Sequence, residues 1–214
     1  MGTVNLSLPA DGETIDAADY NTPITTFVNE FNGEIDNANI ASDAAIAGTK
    51  LADESVTNAK LAYGASVQTV YASTSAGSTG TTLMLRDDTI PQNTEGIEAI
   101  TVAITPKSTT NVLHVRASVT VSSSIANNNW IIALFQDSTA DAFSATIGRS
   151  TDANSNNIIT IEGHLVTGTV SETTIKMRVG ANGAGTTTIN GWGGVRKLGA
   201  VPKTWLTVTE YKVA

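Results

Sequence analysis

The chain has 214 residues, a net charge of −8, only 15% charged and 5% aromatic side chains, and no cysteine. The length suits one compact domain plus something extended. The acidic balance argues against a nucleic-acid interface, which needs a basic face, and the missing thiols exclude disulfides and thiolate metal sites.

The opening stretch MGTVNLSLPADGETIDAADY lacks a basic n-region and an apolar h-region, so no signal peptide is expected. No run approaches the ~18 apolar residues of a membrane helix. The expectation is a chain made in a cytoplasm, not exported by the usual route and not inserted in a membrane. VNLSLP reads as a short strand. TPITTFVNEFNG reads as a helix, with Thr22 suited to the N-cap, Pro23 to the first helical position and Gly33 to the exit. Ile24, Phe27, Val28 and Phe31 stand at i, i+3, i+4 and i+7 and form one apolar stripe. Short helices are marginal alone, so the stripe needs a partner: the preceding strand, a bundle between subunits, or another protein. Residues 1–34 are taken together as a head.

From residue 35 to 63 a large aliphatic returns about every fifth position: Ile35, Ile40, Ile46, Leu51, Val56 and Leu61. This period matches neither a helix nor a strand. So few apolar side chains cannot offset the ordering entropy of a single chain. A pentapeptide solenoid has a similar spacing but needs more coils and caps than this stretch supplies. The favoured expectation is a stem of three copies wound together, aliphatics facing the axis and Ala and Gly allowing close approach. A disordered segment is the alternative.

Residues 65–214 carry alternating β runs separated by turn signals. They fall at 67–73, 81–86, 97–104, 111–123, 130–137, 142–149, 157–167, 172–180, 186–190 and 203–213. In the fourth, Leu113, Val115, Ala117, Val119 and Val121 share one face, opposite His114, Arg116, Ser118 and Thr120. In the last, Leu206, Val208 and Glu210 alternate with Trp205, Thr207, Thr209 and Tyr211. Many short strands with no helix between them predict an antiparallel β-sandwich of the jelly-roll kind and exclude parallel βαβ architecture.

Signatures of catalysis are missing. His114 and His164, the two histidines, sit in β runs beside no ligand at metal spacing. No nucleophile-elbow, zinc-protease or phosphate-loop pattern occurs. The glycine-rich run 179–194 lies between strands, which favours tight turns over a dinucleotide loop. Asp87, Asp88, Asp137 and Asp141 fall in loops and read as solvated carboxylates, without the spacing of calcium loops. No enzyme activity, cofactor or metal is therefore expected. Trp192, between glycines in NGWGG, suits a core plug, a subunit contact or a ligand platform. The polar tip Asn127, Asn128 and Asn129 suits either solvation or sugar contacts. These four residues are the candidate ligand contacts.

The stem phrase NANIASDAAIAGTKLADESVTNAKLA resembles the stems of tailed-bacteriophage fibre proteins. The body phrases DDTIPQNTEG, ITPKSTTNVLHV, ALFQDSTADAFSA, TTIKMRVGANGAGTTTING and TWLTVTEYK resemble a recurring fibre body, and LPADGETIDAADYNTPI with FNGEIDNANI resembles the attachment segments of the same proteins. The resemblance spans nearly the whole chain. It implies a homotrimeric protein at the virion surface, attached to a capsid or tail protein through its N-terminus. The distal body would be similar in layout to the trimeric jelly rolls of the tumour-necrosis-factor and complement kind. The implied role is adhesion to bacterial surface polysaccharide or environmental glycans. A tail receptor-binding protein and a purely capsid-stabilising decoration are the rival expectations.

Overall fold

A computed structural model describes residues 43–53 and 55–213, together with positions 12, 21, 24, 25, 27–29 and 40. The expected strand VNLSLP, Thr22, Pro23, Phe31, Gly33 and Ile35 lie outside the described residues. Asn21, Ile24, Thr25 and Phe27–Asn29 are helical. Ile24, Phe27 and Val28 of its apolar stripe are exposed. The chain divides into two units, Met1–Ser55 and Val56–Ala214.

Among the described residues the five-residue spacing produces neither an α-helix nor a ladder. Single 3-10 turns form at Gly48–Lys50 and Asn58–Lys60, each followed by a leucine, Leu51 and Leu61. Ile40, Ile46, Leu51 and Val56 are 42–52% exposed. Residues 56–63, expected with the stem, belong to the same unit as the β body.

In that unit the strands, in chain order, are β1 (Ser66–Thr74), β2 (Ser78–Gly80), β3 (Ile97–Ile104), β4 (Val112–Ser123), β5 (Asn129–Gln136), β6 (Ser144–Arg149), β7 (Asn157–Val166), β8 (Thr173–Ala181), β9 (Thr187–Ile189), β10 (Gly191–Trp192), β11 (Val195–Arg196) and β12 (Thr204–Tyr211). One antiparallel sheet runs β1-β12-β4-β7, and β4 also pairs with β9, which pairs with β2. The other runs β3-β8-β5-β6. The two form a β-sandwich, as the alternation predicts.

The core lies between the sheets. Leu113, Val115, Ala117, Val119 and Val121 of β4 are fully buried, with Leu206 and Val208 of β12. They belong to one cluster with Trp130, Ile132 and Leu134 of β5 and Ile175, Met177 and Val179 of β8. The unbroken apolar run of β5 is buried on both faces. Ile131, Ala133 and Phe135 form a second cluster with Met84. This explains the one misread β run. Residues 81–86 are not a strand; apart from a single bridge from Leu83 to Ala181 they pack as a cover, with Met84 fully buried. A Cβ on Gly180 would stand 2.6 Å from the Met84 Cβ, so only glycine permits this approach.

Glu210 continues the inward row of β12 and is fully buried. Its carboxylate accepts from the Gln68 amide at 2.6 Å, the Asn111 amide at 2.6 Å and the Lys107 backbone N–H at 2.9 Å. A buried carboxylate is tolerated only when its lone pairs are met in this way. The cluster ties β1, β12 and the β3–β4 loop together. Glu210→Ala is expected to lower stability by about 3 kcal/mol or more, because it orphans several buried donors at once. Lys107→Gln keeps the backbone donor and is expected to stay within about 0.5 kcal/mol. Urea unfolding at fixed protein concentration reads both.

Candidate functional site

The register assigns the loops to one end of the sandwich or the other, except the β2–β3 connection, which runs from Ala181 at one end to Asp141 at the other. β1 starts beside the end of β12, and here the chain arrives from Val56–Gly64. The Lys212 ammonium donates to the carbonyls of Ala59 (3.0 Å) and Leu61 (2.6 Å), the Gly64 N–H donates to the Lys212 carbonyl, and the Asn111 amide donates to the Asn58 side chain. Antiparallel pairing then sends the β4–β5, β6–β7 and β8–β9 loops and the whole β9–β12 connection to the opposite end. That tip is the candidate site.

Its centre is a break in the first sheet. β12 pairs with β4 only as far as Ser118, and β9 takes over the same edge from Val121. Asn190 fills the break. It is fully buried with φ +55°, a left-handed conformation that asparagine tolerates better than most residues. Its N–H donates to the Thr120 carbonyl. Its side-chain amide donates to the carbonyls of Thr74 and Ala76, both at 3.0 Å, and its side-chain oxygen accepts from the Thr204 hydroxyl at 3.1 Å.

Immediately after it, β10 and β11 form a hairpin with Trp192 opposite Val195 and Gly191 opposite Arg196. Gly193 and Gly194 make the turn, with φ of +60° and +78°. Two positive φ angles are what a tight two-residue hairpin requires. The glycine pair in NGWGGVR was a legible hairpin signal that the strand reading missed. The Gly194 N–H donates to the Thr188 hydroxyl at 3.1 Å and fixes the hairpin over β9. Between the hairpin and the β1–β2 link lies an open cleft of about 430 Å³. Ala76–Thr79 form one wall, Thr188 lies at the back, and Gly194 and Arg196 line the other side.

Trp192 and Asn127 both belong to this end, and both are accounted for locally. Trp192 is half-buried on the hairpin face away from Arg196, with the Lys197 ammonium 5.2 Å from its ring centroid. Asn127 is exposed at the β4–β5 turn with φ +53°. Asn129 is half-buried at the start of β5. Asn128 departs from the expectation of a ligand contact. It is 3% exposed and serves as a clamp, its amide donating to the Ser123 hydroxyl at 2.9 Å and its oxygen accepting from the N–H groups of Gly183 and Asn129. The basic residue on the cleft, Arg196, was not singled out from sequence, because an isolated Arg-Lys pair carries no spacing signature.

The outer face of the first sheet holds a second polar constellation. His114 and His164 are directly opposed across β4 and β7, and their rings stack with centroids 4.4 Å apart and planes 7° from parallel. One row further, Arg116 Nε donates to Glu162 Oε1 at 2.8 Å, while His114 Nε2 stands 3.6 Å from Glu162 Oε2, beyond hydrogen-bond length. The Arg116 hydrogen bond holds the Glu162 carboxyl below its ordinary value, with smaller contributions from the Arg116 and His114 charges. The loop carboxylates are engaged in turns: Asp87 accepts from Thr89, Asp137 from Thr173 and Thr174, and Asp141 from Gln92. Among the described residues no three His, Asp or Glu side chains converge as a metal site.

No protein-family model matches the chain, and no curated protein matches it. Among solved structures it is similar in part to a family two carbohydrate esterase from Cellvibrio japonicus, at 18% identity and a TM-score of 0.25, covering 69% of this chain and 36% of that one. It is also similar to the infectious bursal disease virus Gx strain structure and to the VP2 subviral particle of infectious bursal disease virus, each at 12% identity and a TM-score of 0.30. Those matches cover 69% and 70% of this chain and 37% and 38% of the other. The chain thus spans little more than a third of the structures it matches, and likeness at this level carries no function across.

Two outcomes are expected. Because the folded-state value of Glu162 is lowered, its contribution to stability is present above the ordinary carboxylate range and is lost as pH falls through the lowered value. In Arg116→Gln, the Glu162 side-chain carboxyl should titrate at higher pH than in the parent, read by carbon-detected NMR. Asn190→Ala is expected to cost about 2 kcal/mol or more, since it leaves the buried Thr204 hydroxyl without its acceptor, drops two carbonyl contacts and keeps an unfavourable φ. Thermal unfolding of the variant beside the parent measures it.

Proposed function

We propose that this chain is a non-enzymatic structural protein of a bacteriophage virion, a homotrimeric fibre or decoration attached through its N-terminal segment. Its β-sandwich body serves adhesion to glycans of the bacterial surface or the environment. The observation that carries the trimer is the row Ile40, Ile46, Leu51 and Val56, each 42–52% exposed in the single chain. Aliphatic side chains spaced for neither a helix nor a ladder gain nothing from their own chain, and copies of the same segment supply the missing apolar surface.

The outer face of the first sheet favours the same arrangement. Tyr71 of β1 and Ile158 and Val166 of β7 are 60%, 75% and 61% exposed there. They lie at the margins of a face whose middle rows carry Thr207, Thr209 and the polar group of His114, His164, Arg116 and Glu162, so apolar patches border a polar centre that a like partner could meet. A closed three-fold assembly presents three tips together, which multiplies weak contacts through effective concentration.

Sedimentation equilibrium of the full chain tests the assembly. Three times 22.1 kDa is the expected mass. Leu51→Asp with Val56→Asp should shift the population toward single chains, and a parent protein that is monomeric at micromolar concentration overturns the trimer. Adhesion is tested by retention of the purified protein on bacterial cells and its loss after the surface polysaccharide is stripped. Equal retention on stripped cells argues for a decoration without a glycan ligand.

A further inference from the structure

We propose that the tip cleft binds the carboxylate of an acidic saccharide, with Arg196 as the anchoring residue. The inference rests on the adhesion reading above and narrows its ligand class from glycans in general to anionic ones.

Charge is the first reason. The tip segments 74–80, 124–128, 149–156 and 182–203 carry Arg149, Arg196, Lys197 and Lys203 against Asp152 alone. Four basic side chains against one acidic give the tip a net +3 on a chain of −8, so the remainder carries −11. The neighbouring Asp87 and Asp88 belong to a different hollow, beside Phe143–Ala145. A cationic end on an acidic protein attracts anions.

The second reason is that these cations are unspent. Elsewhere Arg116 is paired with Glu162, and Arg178 is within 3.9 Å of Glu98 and bonded to the carbonyls of Glu95 and Gly96. Arg149, Arg196 and Lys203 form no ion pair among the described residues, and Lys197 rests on the Trp192 ring.

The third reason is the shape and lining of the cleft. A volume of about 430 Å³ lies in the range of small-ligand sites, roughly 300–1,000 Å³. Arg196 lines it together with the hydroxyl residues Ser78, Thr79 and Thr188. A guanidinium presents a planar fork that matches a carboxylate with two parallel hydrogen bonds. Hydroxyls both donate and accept, which suits the hydroxyl groups of a sugar ring. Gly77 makes room for Arg196, because a Cβ at that position would stand 3.1 Å from the Arg196 Cβ. The walls are held independently of any ligand, by Asn190 on the Ala76 side and by Thr188 on the hairpin side.

Calorimetric titration of the full chain with a short oligogalacturonate and with its methyl ester tests the inference. The ester keeps the sugar and removes the charge. The acid should bind, with affinity falling as salt is raised. The ester, and the acid on Arg196→Gln, should each bind about tenfold more weakly or worse. Lys107→Gln, the same charge change at the other end of the sandwich, should bind as the parent does. Arg196 is exposed, so an unchanged melting transition in Arg196→Gln separates lost binding from lost fold. Equal binding of acid and ester, or full binding by Arg196→Gln, overturns the anionic inference and leaves the adhesion reading standing. Binding of neither sugar overturns the inference too, and adhesion itself then rests on the cell-retention measurement.

Discussion

The backbone of β4 is the constraint from which the rest of the body follows. This strand runs through the middle of the first sheet, and a buried strand must pair its N–H and C=O groups along both edges. β7 covers one edge from Val112 to Val121. The other edge is shared, with β12 serving the half nearer the chain's arrival and β9 the tip half. A shared edge leaves a join, and Asn190 closes it with its own backbone and both ends of its amide. The chain must also travel from β9 back to β12, and the hairpin, Arg196 and the cleft wall all lie on that excursion. The tip architecture is thus a consequence of completing one strand's hydrogen bonds.

Burial is divided unevenly around this frame. The inward rows of β4, β5, β8 and β12 form one dense core, and β5 is covered on its second face by Met84 and its neighbours. Glu210 extends the inward row of β12 and is made tolerable by donors from three directions. By contrast, the aliphatics of residues 40–56 and the outer face of the first sheet keep apolar surface in water. Apolar surface left in water in this way is what the proposed association with like chains would cover.

The two ends of the body therefore differ in kind. At one, Lys212, Asn111 and Gly64 fasten the arriving chain by hydrogen bonds to its carbonyls and to Asn58. At the other, Arg196 lines an open polar cleft and forms no ion pair among the described residues. One end is tied to the arriving chain and the other carries the open cleft, and register decides which is which.

Much of this was legible in the residues. Period-two alternation located β3 residue for residue, and it sorted the two faces of β4 and β12 as the structure has them, without saying which face of β12 is inward or that Glu210 is buried. Alternation works because a strand buried on one face has no other way to order its side chains. It failed at residues 81–86, where an alternating run lies over a sheet instead of joining it, and no local pattern separates the two. It likewise could not tell that Asn128 turns inward while Asn127 turns out, since both are turn residues of the same type. The sequence by itself determined a β-sandwich with an aliphatic-spaced lead segment, because periodicity and composition act over a few residues at a time. The tertiary structure alone decided that His114 meets His164, that Asn190 is a keystone, and that Arg196 faces a cleft with hydroxyls around it. Those outcomes depend on which strands, distant in the chain, lie side by side, and strand pairing is a non-local choice that no single segment encodes.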